Sequence, residues 1–128
     1  MSSSDIVNFY CTCVRPVLEY GSSVFHHALP LYLSNDIERV QKRAFSIISP
    51  SCSYESFLKE HNMEKLSERR SKQCIKLFES IVNDPRFSHL LPPVNKPHYN
   101  LRKTRRYSTP RYRTNRFKNS FIAKMTVS

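Results

Sequence analysis

The sequence predicts an all-α protein, a small bundle of about four helices with a basic, largely irregular C-terminal tail. Three observations carry that expectation. Up to Pro85, apolar residues recur at steps of three and four, the period of one helical face. No stretch in that region alternates with a period of two for long enough to suggest a sheet. Beyond Pro85 the periodic face is lost, and basic residues accumulate without a single Asp or Glu.

The first face is made by Ile6, Val7, Tyr10, Val14, Val17 and Leu18, with Ser4 or Asp5 as its N-cap. Pro16 falls inside this pattern and lacks the N–H of a helical residue, which predicts a bent helix from about Ser4 to Phe25. The stretch HALPLYLSND, His27 to Asp36, reads as a connection. Ser34 and Asn35 then offer caps, with Glu38 three residues after Asn35 as in a capping box. Ile37, Val40, Ala44, Ile47 and Ile48 form the second face, stopped by Pro50. Ser53 caps a short third helix holding Tyr54, Phe57 and Leu58, and Asn62 ends it. A fourth helix spans about Glu64 to Asn83, with Leu66, Cys74, Leu77, Phe78, Ile81 and Val82 inward and Arg69, Lys72 and Lys76 outward. Asp84-Pro85 terminates it.

These elements predict a helical domain over residues 1–85, a proline-rich linker over 86–99 and a basic tail over 100–128. In the linker, LPPVNKP from Leu91 to Pro97 favours extended backbone. In the tail, FIAKM from Phe121 to Met125 is a short helix or strand. The remainder has too little apolar area to offset about 1–2 kcal/mol of backbone entropy per residue.

The charge is as uneven as the pattern. Of 128 residues carrying a net charge of +11, those up to Pro85 hold ten basic and ten acidic side chains, and those from Arg86 onward hold eleven basic ones alone. A one-sided block of this kind suits partners of negative charge, above all phosphate backbones.

Several chemistries are excluded. Gly21 is the single glycine, whereas the phosphate-binding loop, the dinucleotide turn and the G-x-S-x-G elbow each need at least two. Two-metal phosphoryl transfer needs neighbouring carboxylates, and the only aspartates are Asp5, Asp36 and Asp84. Cys11, Cys13, Cys52 and Cys74, with His26, His27 and His61, include no C-x₂-C pair. On a helix Cys11 and Cys13 point about 200° apart, so buried core thiols are favoured over a zinc site. No thiol has the basic neighbour or helix start that would make it a nucleophile. No catalytic residue, metal site, cofactor or small-molecule substrate is expected. MSSSDIVNFY lacks the n- and h-regions of a secretory signal, which predicts reduced thiols in an intracellular protein, nuclear or cytoplasmic and not secreted. No apolar run approaches the roughly 18 residues of a membrane span.

Four ordered motifs carry a resemblance. They are Tyr10 followed by VRPVLEYG from Val14 to Gly21, DIERVQKRA from Asp36 to Ala44, and Tyr54 leading to LSERR from Leu66 to Arg70. The fourth lies in the tail, YNLR from Tyr99 to Arg102 with TNRFKNSF from Thr114 to Phe121. Together they resemble the segment after the palm in reverse transcriptases of non-LTR retrotransposons, the RNA-directed DNA polymerases of jockey-like mobile elements. The chain departs from that pattern at Phe25, where the family commonly has Trp, and in lacking the W-N-x-L-P close after Phe121.

The resemblance implies a helical thumb and the connection beyond it, which hold template and product after the palm has done the chemistry. On that reading the chain is a non-catalytic C-terminal fragment, with the fingers and the palm's metal-binding aspartates upstream of Met1. Its partners are an RNA or DNA backbone and the upstream fingers and palm of the same element. The motif residues Arg15, Pro16, Glu19, Tyr20, Arg39, Gln41, Arg43, Arg69 and Arg70 are expected to serve packing or ion pairing.

For Arg102, Lys103, Arg105, Arg106, Arg111, Arg113, Arg116 and Lys118, phosphate contact stands beside a merely solvated tail. Tyr99, Tyr107, Tyr112 and Phe117 either stack on unpaired bases or anchor the tail on the helices. Arg39, Lys42 and Arg43, like Arg69, Lys72 and Lys76, form either a solvated stripe or a surface that tracks a backbone. Two other functions stay open: a protein-interaction module docking on a separate fingers and palm domain, and a decayed element copy without function.

Overall fold

The computed structural model describes residues 2–96, 98 and 105–127. Its α-helices are α1 (Ser3–Phe9), α2 (Arg15–Glu19), α3 (Ser22–Phe25), α4 (Leu31–Ile48), α5 (Tyr54–Glu60), α6 (Leu66–Asn83), α7 (Asn115–Lys118) and α8 (Phe121–Val127). The protein is all-α; among the described residues, extended pairing is limited to one isolated antiparallel bridge, Val94 with Tyr107. The chain divides into two compact units, Met1–Ser22 with Leu29–Lys72, and Ser23–Ala28 with Gln73–Ser128.

In the first unit Ser2, rather than Ser4 or Asp5, caps α1. The Asp5 N–H donates to the Ser2 hydroxyl at 3.3 Å, and the Ser2 N–H donates to the Asp5 carboxylate at 3.0 Å, a complete capping box. The single bent helix expected over 4–25 is broken into pieces, and Pro16 supplies the reason. Having no N–H for the carbonyl one turn back, it forces a π-helical turn over Tyr10–Val14, in which the Arg15 N–H reaches the Tyr10 carbonyl. Pro16 then sits in the first turn of α2, where a missing N–H costs nothing. Gly21 takes φ of 65°, a left-handed conformation that stops α2 and lets α3 begin at Ser22.

Helix α4 starts at Leu31, earlier than the caps Ser34 and Asn35 suggest. Pro30, extended at ψ of 153°, is the N-cap, and its carbonyl accepts from the Ser34 N–H at 3.0 Å. Ser34 and Asn35 therefore lie inside the helix. Ser53 caps α5 as expected, accepting from the Ser56 N–H at 3.3 Å, and Asn62 turns out of it at φ of 50°.

The core of this unit is Val7, Tyr10, Phe45, Phe57 and Leu58, with Val14, Ala44, Ile48 and Met63 against it. Phe45, not foreseen, is its centre, edge-on to Tyr10 at 5.2 Å and stacked on Phe57 at 4.4 Å. Each ring pair adds about 0.5–1.5 kcal/mol beyond its burial. Because α4 buries the side that carries Gln41 and Phe45, Val40 and Ile47 point away and are 45% and 69% exposed. Val17, also expected inward, is exposed, and of the four thiols Cys13 is exposed while Cys74 alone is fully buried.

In the second unit, Asp84-Pro85 ends α6 as expected, but the following residues are not yet extended. The Arg86 N–H donates to the Asp84 carboxylate at 3.0 Å and opens a 3-10 helix over Pro85–Leu90. Extended backbone begins at Leu91 and is pinned by two bonds, Asn95 N–H to Arg106 O at 2.8 Å and Ser108 N–H to Pro93 O at 3.0 Å. Tyr107 is buried there, edge-on to Phe78 at 6.4 Å, and Phe121 meets the same ring at 6.5 Å. Leu77, expected inward, is exposed. FIAKM takes the helical option as α8, burying Ala123, Met125 and Thr126. Thr114 caps the short α7, accepting from the Phe117 N–H at 3.2 Å.

Candidate nucleic-acid interface

The second unit concentrates the charge. Its sequence contains twelve Lys and Arg against Glu79 and Asp84 alone, whereas the first unit is nearly balanced. Arg105, Arg106, Arg111, Arg113, Arg116 and Lys118 are all exposed. Among the described residues none of these six enters an ion pair, while Arg86 is taken by Asp84 at 2.7 Å. Two are oriented locally: Arg105 donates to the Thr109 hydroxyl at 3.0 Å, and the Arg106 guanidinium lies 5.5 Å over the Tyr107 ring. Arg102, Lys103 and Tyr99 fall outside the described residues.

The aromatic residues of the tail differ in burial. Tyr107 is 6% exposed and anchors the chain. Phe117 is 49% exposed, with the half-buried Tyr112 ring 6.0 Å away. The Phe117 ring lines an apolar groove of about 480 Å³ whose other walls include Leu91, Pro92, Pro93, Pro110 and Ile122. The segment read as a linker thus forms one side of a groove.

Among the motif residues of the first unit, Glu19, Gln41, Arg69 and Arg70 make buried or half-buried contacts. Glu19 accepts from Arg69 through both oxygens, the longer contact 3.2 Å, with side chains only 11% and 29% exposed. That carboxylate raises the Arg69 pKa further. Arg70 is buried and donates to the Ser34 hydroxyl at 2.8 Å. Gln41, fully buried, accepts from the Tyr10 hydroxyl at 2.7 Å and donates to Tyr54 Oη at 2.9 Å and Glu64 O at 3.3 Å. The Tyr54 hydroxyl donates in turn to Glu38, which also accepts from the Leu66 N–H at 3.3 Å. Burial pushes both phenol pKa values well above their ordinary range; at Tyr54 the bond to Glu38 adds to it. Arg15 is half-buried, and Pro16 and Tyr20 are exposed.

The two basic stripes differ in consequence. Arg39, Lys42 and Arg43 are exposed, with Arg39 paired to Asp36 at 3.2 Å and Lys42 5.2 Å from the Tyr54 ring. The outward stripe expected on α6 is largely neutralised, since Arg69 goes to Glu19 and Lys72 to Glu64, leaving Lys76 exposed. Among the described residues, exposed cations without an ion pair are therefore most concentrated in the tail, with others, Arg43 and Lys76 among them, scattered outside it.

Sequence reasoning missed the roles of Phe45, Glu38 and Tyr54 and the groove. One signal was present for the network: Gln41 lies four residues after Ile37 and three or four before Ala44 and Phe45, a polar residue inside an apolar stripe. Among the described residues, no three His, Cys, Asp or Glu side chains come together to hold a metal ion, and no helix is long and apolar enough to cross a membrane. No protein family, curated protein or solved structure matches the chain.

Proposed function

We propose that the chain is a non-catalytic thumb and post-thumb segment of a non-LTR retrotransposon reverse transcriptase, and that it binds an RNA or DNA backbone through its tail. The observation that carries the binding is the set of six exposed cations without ion pairs, in a stretch with no acidic residue. With no carboxylate to compete, phosphates are the natural counter-charge, and each contact releases condensed counterions. Engaging four phosphates of a duplex gives log Kd against log salt a slope of about 3.6 in magnitude.

Binding of labelled RNA to the full chain, measured across a salt series, tests this. Undetectable or salt-independent binding at low salt overturns the reading. Arg105, Arg106, Arg113 and Arg116 replaced together by Ala should flatten the slope, while Arg39→Ala, at a site already paired with Asp36, should change it little.

A second reading, a module that docks on a separate fingers and palm domain, is favoured by large apolar side chains left in solvent on the first unit. Val17, Tyr20, Leu31, Tyr32 and Ile47 are each at least 66% exposed. Mixing the chain with a fingers and palm fragment separates the two: recovered polymerase activity that survives the four tail substitutions supports docking without nucleic-acid contact by the tail.

A further inference from the structure

Nucleic-acid binding by the tail, as proposed above, leaves open which form is bound, and the groove bears on that. Its walls are the extended segment from Leu91 to Pro93, Pro110, Phe117 and Ile122, and the extended wall is held by the Ser108 N–H to Pro93 O bond at 3.0 Å. Apolar surface of this kind gives a phosphate no compensation for lost hydration. Yet Arg111 and Arg113 follow Pro110, and Arg116 and Lys118 flank Phe117, all four exposed and none in an ion pair among the described residues. An occupant that satisfies both features offers a flat or apolar body attached to negative charge.

We propose that the groove takes an unpaired base, stacked on Phe117 and the proline faces, while the flanking cations hold the adjoining phosphates, so that the tail prefers single-stranded nucleic acid to duplex. In a duplex the bases are stacked within the helix and cannot reach a groove, whereas a single strand turns its bases outward to aromatic platforms. The division of the aromatic residues fits this arrangement. Tyr107 is spent on Phe78, and Phe117 keeps half its surface free beside Tyr112. Of the two serines on the wall, Ser120 donates its hydroxyl to the Phe117 carbonyl at 2.7 Å, which leaves the Ser108 hydroxyl for a base edge.

The test compares a labelled oligouridine with an RNA duplex of equal length, using the full chain. Oligouridine should bind more tightly. Phe117→Ala should weaken it roughly tenfold, the loss of one stacked base, with the salt slope and duplex binding unchanged, and Phe117→Trp should restore it. Equal binding of both forms, or an equal loss on both with Phe117→Ala, overturns the groove assignment while leaving backbone binding intact. Loss of all salt-dependent binding in the wild type would instead overturn the function on which it rests. Tighter, Phe117-dependent binding of an acidic leucine-rich peptide would also overturn it, in favour of a protein partner.

Discussion

In the first unit a set of polar side chains faces inward. Gln41 ties Tyr10 to Tyr54, Glu38 closes the network on the start of α6, and Glu19 locks Arg69. In the second unit they face outward, six cations stand in solvent, and burial falls to a few residues such as Cys74, Tyr107, Ala123 and Met125. Under the proposed function, the contrast assigns stability and binding to different residues of one small chain. Substitutions in the first unit should cost folding energy with little effect on the salt slope, and substitutions of the tail cations should do the reverse.

The largest loss of stability is expected at Gln41. Gln41→Ala leaves the Tyr10 and Tyr54 hydroxyls without their shared partner in a buried site and opens a cavity, a cost of about 2–4 kcal/mol. Denaturant unfolding checks it, and an unchanged midpoint would remove the network from the account of stability. Where the variant is folded, its salt slope for RNA should equal that of the wild type.

The converse substitution, Arg111, Arg113, Arg116 and Lys118 together to Ala, should reduce the salt slope by up to about 3.6, since each phosphate contact contributes about 0.9. All four side chains are exposed, so the unfolding free energy should change by no more than about 0.5 kcal/mol per substitution. A large stability change there would show that the tail cations are structural after all.

Smaller again is Arg69→Met. Its partner Glu19 is nearly buried and Arg69 is partly so, which puts the pair between a surface bridge and a buried one, about 1–2 kcal/mol. Denaturant unfolding of Arg69→Met, Glu19→Gln and the double variant gives the coupling directly, and additive losses would deny the pair any role.

What the sequence made legible follows from these same residues. Helical period is a local property, so α5, the end of α4 and the stop at Asp84-Pro85 were readable from spacing and punctuation. Which side of a helix is buried depends on its neighbours, and α4 chose the side of Gln41 and Phe45 over that of Val40 and Ile47. A Pro at the N-cap overrode Ser34 and Asn35 because a fixed φ leads into the helix without a side-chain cap. The cation cluster was legible as composition. The neutralisation of Arg69 by Glu19 was not, since the partners are fifty residues apart and meet only through the fold.

The least effect, and the one that sharpens the contrast most, is in the response to pH. Tyr10 and Tyr54 have phenol pKa values raised by burial above the ordinary 10.0, so the folded first unit keeps protons that the unfolded chain gives up. Their contribution is complete below pH 10 and is lost as pH rises beyond it. His27 has the opposite sign. Burial, and then the Lys124 charge, lower its pKa below 6.5, and its Nε2 is buried without a hydrogen bond. The folded second unit therefore binds fewer protons than the unfolded chain, and the His27 contribution is present above pH 6.5 and lost as pH falls. Near-UV dichroism of the tyrosines and NMR signals of Met125, followed up past pH 10 and down just below pH 6.5, above the range where Asp5 and Glu64 of the first unit take up protons, should show the first unit loosening on the alkaline side and the second on the acid side. His27→Leu should weaken the acid limb alone, and Tyr54→Phe the alkaline limb alone. Both limbs moving together in either variant would mean that the two units unfold as one, and that their separate chemistry does not give them separate stability.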